Sequence, residues 1–153
     1  MKKLTYTLFA LLVICAVPSA LFAETINPPL SPERQEIIKT NIIAGLQHSS
    51  QEVQADYVQL MIDLKRAYPQ YNFNYAIIPL MDKLKNEDNC GMRILAALAL
   101  YEFQDSRMGR FAVEQTIDHC KSQRLAKFCQ TLIRKWDKRT ERAVYTAQVV
   151  YPF

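Results

Sequence analysis

The triplet Asp118-His119-Cys120 is the densest cluster of chemically useful side chains in the sequence. A thiol beside an imidazole is the raw material of nucleophilic catalysis, in which the histidine takes the proton and the thiolate attacks. With Cys129 and Cys90, the same residues also supply the ligand types of a zinc site. Spacing argues against both. Adjacent residues on a helix do not face one another, so His119 cannot serve Cys120, and neither a finger spacing nor C-x-x-C occurs. His48 has no Ser or Cys nucleophile at a recognised spacing. Glu87 and Asp88, the obvious pair for acid–base work, stand beside Asn89 and read as a solvated corner that caps the following helix. The residues therefore predict no catalytic group, no metal site and no cofactor.

The second chemical signal is the basic run RKWDKRTER at 134–142. Arg134, Lys135, Lys138, Arg139 and Arg142 span about two helical turns and are expected to spread over much of the exposed circumference. They are the candidate contact for an acidic partner or an anionic lipid, against a plain reading as a solvated terminal helix.

Length, charge and cysteine content set the frame for these residues. Residues 1–23 begin with Lys2 and Lys3, continue through an apolar run from Leu8 to Val17 and end in small residues before Glu24. This is the form of a secretory signal cleaved near Ala23. The apolar run is shorter than the roughly 20 residues of a membrane span, and Cys15 follows Ile14 rather than the small residue of a lipoprotein signal. Export to the periplasm or beyond is expected, with nucleic acid an unlikely acidic ligand there. Contact with a membrane surface remains open, spanning does not. Cleavage leaves 130 residues, enough for one domain with a real core. Residues 24–106 hold seven Lys or Arg against eleven Asp or Glu, a net −4, whereas residues 107–153 hold ten against four, a net +6. Such a dipolar chain can steer an acidic partner or favour head-to-tail self-association. Cys90, Cys120 and Cys129 remain after cleavage, an odd number that suggests one disulfide and one leftover thiol in an oxidising compartment.

The elements that hold these residues are helices. Residues 24–30, ETINPPL, read as an extended arm; Ser31, Pro32 and Glu33 then supply an N-cap, a first-turn proline and an early carboxylate. The sequence contains three glycines and no N-G or D-G hairpin turn. Val53, Tyr57, Leu60, Met61 and Leu64 step as i, i+4, i+7, i+8, i+11, a single helical face. The same steps recur at Met92, Ala96, Ala99, Leu100 and Phe103, and at Leu125, Cys129, Leu132, Ile133 and Trp136, offset by 39 and then 33 residues. Each copy follows a shorter helix ending in Leu46, Leu84 or Ile117, with Ile42, Leu80 and Val113 one turn earlier. The connectors QHSSQE, KNEDNCG and DHCKSQR are short and polar, as in antiparallel helical hairpins. Three hairpins are predicted over 31–68, 73–106 and 108–140, one repeat domain spanning 31–140. Residues 141–153 form an apolar tail with alternating Tyr145, Ala147, Val149, Tyr151 and Phe153. That ending is similar to the last strand of an outer-membrane barrel, although no other alternating strand is present and Pro152 limits pairing. The tail is expected to pack back on the domain or to serve as a β-augmentation peptide.

The middle unit, AIIPLMDKLKNEDNCGMRILAALALYEF at 76–103, resembles a HEAT repeat of the short bacterial kind. The resemblance rests on Pro79 before aliphatics, Asp88 in the connector, the Met92-Arg93 pair and the Ala96, Ala97, Ala99 cluster. In the flanking units Gln54 and Ala126 stand where the arginine would be, so those match by spacing alone. The resemblance implies an all-α, right-handed α-solenoid of three hairpins, with partner binding on the second helices by analogy. Successive corners of such a stack line up along one edge, which brings Cys90 towards Cys120 and makes them the candidate disulfide. Cys120 with Cys129 is the rival pairing, although Cys129 occupies the core position equivalent to Ala96 and suits a buried thiol; three free thiols are the third alternative. Together these readings predict an exported, non-catalytic scaffold for an unidentified protein partner, an acidic one where the basic run makes the contact. The alternatives are an anionic-ligand or membrane-surface binder using the basic end, and a small enzyme with a site on the second-helix face.

Overall fold

The computed structural model describes residues 29–104 and 106–150, with side chains as far as Arg142. The expected signal at 1–23 and all but the end of the arm at 24–30 lie outside the described residues. Those described form six α-helices, one 3₁₀ turn and no strand: the chain is all-α. In order they are α1 (Pro32–Leu46), α2 (Gln51–Ala67), the 3₁₀ turn Asn74–Ala76, α3 (Ile77–Asn86), α4 (Cys90–Glu102), α5 (Arg107–His119) and α6 (Gln123–Val150).

Local chemistry explains where the helices begin. Ser31 Oγ accepts from the amide of Arg34 at 3.3 Å, with Pro32 in the first turn. Asn89 Oδ1 accepts from Gly91 N at 2.8 Å and Met92 N at 3.3 Å; Ser106 Oγ accepts from Gly109 N at 3.0 Å; Ser122 Oγ accepts from Leu125 N at 3.4 Å. Each cap satisfies amides that a helix leaves orphaned and contributes about 1 kcal/mol. At the other end of α3, Arg93 Nε donates to the carbonyl of Leu84 at 2.7 Å, so the arginine of the Met92-Arg93 pair closes the preceding helix. The end of the N-terminal arm is tied down as well. Tyr71 Oη accepts from Leu30 N at 2.7 Å and Gln35 Nε2 donates to Leu30 O at 2.9 Å.

Each odd-numbered helix packs on its successor, α1 on α2, α3 on α4 and α5 on α6. Across these pairs α4 lies against both α2 and α6, and α3 lies against α5. α4 is the hub, and its composition permits this: Ala96, Ala97 and Ala99 are fully buried, and side chains this small let several helix axes approach closely. Ile42, Leu46, Leu80, Leu84, Val113 and Leu125 complete the core from the neighbouring helices.

Two elements depart from expectation. On α2 the buried face is Gln54, Val58, Met61 and Ile62, one residue round from the expected Val53, Tyr57, Leu60 set, and Leu60 is 44% exposed. A polar residue can take the inward position here because Gln54 is fully engaged: its Nε2 donates to His48 O and its Oε1 accepts from Lys83 Nζ at 2.6 Å. At the C-terminus, the expected boundary at 140 falls inside α6, which continues to Val150. Positions 145, 147 and 149 are therefore helical, not extended, with no proline before Pro152 to stop the helix.

Candidate functional site

The cysteines meet at one corner without bonding. Cys90, Cys120 and Cys129 are all free thiols, which corrects the expected Cys90–Cys120 disulfide. The corners do approach, but Ser122 stands between the two sulfurs: Cys90 Sγ lies 3.4 Å from Ser122 Oγ, and Cys120 Sγ accepts from Ser122 N at 3.3 Å. The N-cap serine of α6 fills the space that an S–S bond would need. Cys129 is fully buried, and burial pushes its thiol up to about 11, reinforced by nearby Cys120 and opposed by Arg93. A thiol so held is inert.

Of the remaining chemical candidates along this edge, Glu87 and His48 make contacts at the corners. Glu87 accepts from Gln51 Nε2 at 2.8 Å and pairs with Lys83 at 3.5 Å, which ties the second corner to the first. His48 Nδ1 accepts from Ser50 N at 3.0 Å at the start of α2. Asp88, Asp118 and His119 point into solvent. Among the described residues no group of three or more His, Cys, Asp or Glu could hold a metal ion.

The basic run divides by role. Arg139 stacks on the ring of Tyr101, 4.6 Å from its centroid, and Asp137 accepts from Arg110 at 2.7 Å. Arg134, Lys135 and Lys138 stay exposed on the outer side of α6 and make no ion pair among the described residues. They share that side with Arg124 and Lys127, also exposed, whereas Arg142 lies further along the same helix. The expected spread around the helix is thus a one-sided stripe, because Trp136 and Arg139 turn the other side of the run towards α4.

Periodicity did not reveal a groove of about 700 Å³ on the edge opposite the corners. Its lining includes Lys65, Arg66, Ile78, Glu102, Arg107 and Met108. Arg66 Nε donates to Glu102 Oε1 at 3.0 Å, and that hydrogen bond, with the attraction of the same carboxylate, holds the guanidinium above its ordinary value. Lys65 sits over the Phe103 ring at 5.7 Å. Ile78, Met108 and Phe111 are more than half exposed, at 58%, 52% and 58%. Ile78 and Met108 line the groove, and Phe111 lies one turn beyond Met108 on α5. The available signal was that these apolar residues fall off the inward-facing positions of α3 and α5.

No family model, curated protein or solved structure matches the chain. Among the described residues no helix is long and apolar enough to cross a membrane. The functional reading rests on the groove, the edge and the stripe themselves.

Proposed function

We propose that this chain is an exported protein-binding scaffold, built as a HEAT-like solenoid of three hairpins, that takes its partner on the first-helix side. The packing order supports the solenoid reading, since α2, α4 and α6 are successive neighbours and α3 lies against α5. The observation that carries the binding surface is the exposure of Ile78 and Met108 in the groove, with the exposed Phe111 one turn beyond Met108 on α5. Exposed apolar side chains gathered at a concavity mark an interaction site, whereas scattered ones do not. Among the described residues, Lys65, Arg66 and Arg107 around the same groove meet one counter-charge, Glu102, so the complementary segment carries an apolar side chain flanked by carboxylates. On this reading the partner, expected on the second helices, sits where the ends of α2 and α4 meet the starts of α3 and α5, with its apolar contacts on the latter two. On this reading the chain works by contact, without a cofactor.

A photo-crosslinking residue at Phe111, in cells exporting the protein, tests this. One discrete adduct is expected, lost when Met108→Asp is added and absent when the crosslinker is placed at the exposed Thr40 on α1. Equal adducts from both positions, or an adduct indifferent to Met108→Asp, would refute the assignment.

A further inference from the structure

Two faces of opposite charge lie away from the groove. On α6, Arg124, Lys127, Arg134, Lys135 and Lys138 are exposed. At about 100° per residue they occupy an arc of roughly 100°, on the side opposite the buried Leu125, Cys129 and Trp136, and extend over about 21 Å. On α2, Glu52, Asp56 and Asp63 are exposed within an arc of roughly 40°, opposite Val58 and Met61, over about 16 Å. Gln59 donates to Asp63 at 3.1 Å within that row, and Arg66, which Asp63 also attracts, is hydrogen-bonded to Glu102. None of the five cations, and neither Glu52 nor Asp56, forms an ion pair among the described residues.

One molecule cannot satisfy both rows by itself. α4 packs against α2 and against α6, and each row faces away from its own buried side, so the two do not meet within the chain. We infer that the α6 stripe of one molecule docks on the α2 carboxylate row of a second copy. The shorter acidic row fits inside the longer basic one. Exposed Leu60, one turn from Asp56 and from Asp63, offers apolar area to the aliphatic stems of the lysines. The two surfaces are different, so the contact is heterologous: it propagates head to tail instead of closing a two-fold dimer. An anionic lipid surface would use the stripe but leave the α2 carboxylates without a role, and this favours the second copy. Lys65 and Arg66 at the end of α2 line the groove, but Glu52, Asp56, Asp63 and the α6 stripe do not, so the variants below leave the groove residues unchanged and the two readings fail separately.

Sedimentation velocity of the exported full chain, at about 20 mM and about 500 mM NaCl, provides the test. At low salt the weight-average sedimentation coefficient is expected to rise with concentration, and at high salt to fall back to the monomer. The triple variants Lys127→Glu/Arg134→Glu/Lys138→Glu and Glu52→Lys/Asp56→Lys/Asp63→Lys are each expected to be monomeric at low salt with unchanged helical circular dichroism. An equimolar mixture of the two, and a single chain carrying all six changes, are expected to regain assembly, a rescue that simple misfolding could not give. A wild-type chain that stays monomeric at low salt, or assembly surviving in either triple variant, would overturn the inference. So would binding to phosphatidylglycerol vesicles that the α6 variant loses and the α2 variant keeps, without self-association; that outcome would give the stripe to a lipid surface.

Discussion

Cys129 shows how burial rather than residue type decides reactivity. The thiolate is the attacking form, and with the thiol pushed from its ordinary 9.0 up to about 11 the buried sulfur stays protonated. Iodoacetamide at pH 8 is expected to label the half-buried Cys90 and Cys120 in the native protein and to spare Cys129 until denaturant is added. Peptide mass spectrometry reads this directly, and native labelling of Cys129 at the rate of the other two would contradict its placement. Tyr75 behaves alike. Its hydroxyl is buried without a hydrogen-bond partner among the described residues, and burial, helped by Glu36, pushes it from 10.0 up to about 12. Both groups are acids whose neutral form the fold favours, so the stability linked to them is complete below about pH 9 and is lost as pH rises to about 12. The melting temperature is expected to fall across that window, and Tyr75→Phe to remove the upper part of the fall at a cost under about 1 kcal/mol near pH 7. His119 and Cys120 were legible as non-partners from adjacency alone, whereas the serine between Cys90 and Cys120 was not, because it belongs to a different helix from Cys90.

At the scale of the element, the contact between α1 and α2 turns on a glycine. Gly45 is buried near the end of α1, and a Cβ built there would overlap the Tyr57 ring at Cγ. Alanine normally gains about 0.5–1 kcal/mol over glycine inside a helix. Here Gly45→Ala must displace the ring at its root, and a loss of about 1–3 kcal/mol in urea unfolding is expected. In a Tyr57→Ala background the sign should reverse to the ordinary helix gain; a loss in both backgrounds would show that the ring is not the obstacle. The inward face of α4, Met92 to Phe103, was readable from its spacing because every position on it is apolar. That of α2 was not, since Gln54 takes an inward place only because His48 and Lys83 supply its partners from other segments.

At the scale of the whole molecule, Trp136 joins the last helix to the rest. Its ring is buried edge-on against Tyr101 at 5.5 Å, and its Nε1 donates to Gln104 O at 3.1 Å. Trp136→Ala removes both contacts and is expected to cost about 3–5 kcal/mol, read as a lower urea midpoint by circular dichroism. The loss should appear in one cooperative transition, because α4 is shared by α2, α3, α5 and α6. A separate early transition of α5 and α6 would mean that the C-terminal pair folds as an independent unit.

The amino-acid sequence alone determined the helical class, the corners and their caps, and the faces of α4 and α6. These depend on periodicity and on side chains bonding to amides two or three residues away, all of it local. The tertiary structure decided that Ser122 separates Cys90 from Cys120 and that Arg139 leaves the basic run to cover Tyr101. It also decided that Ile78 of α3 and Met108 of α5 line one groove. Each of these outcomes joins residues from different helices, and a one-dimensional pattern holds no information about which helices become neighbours until the chain has packed.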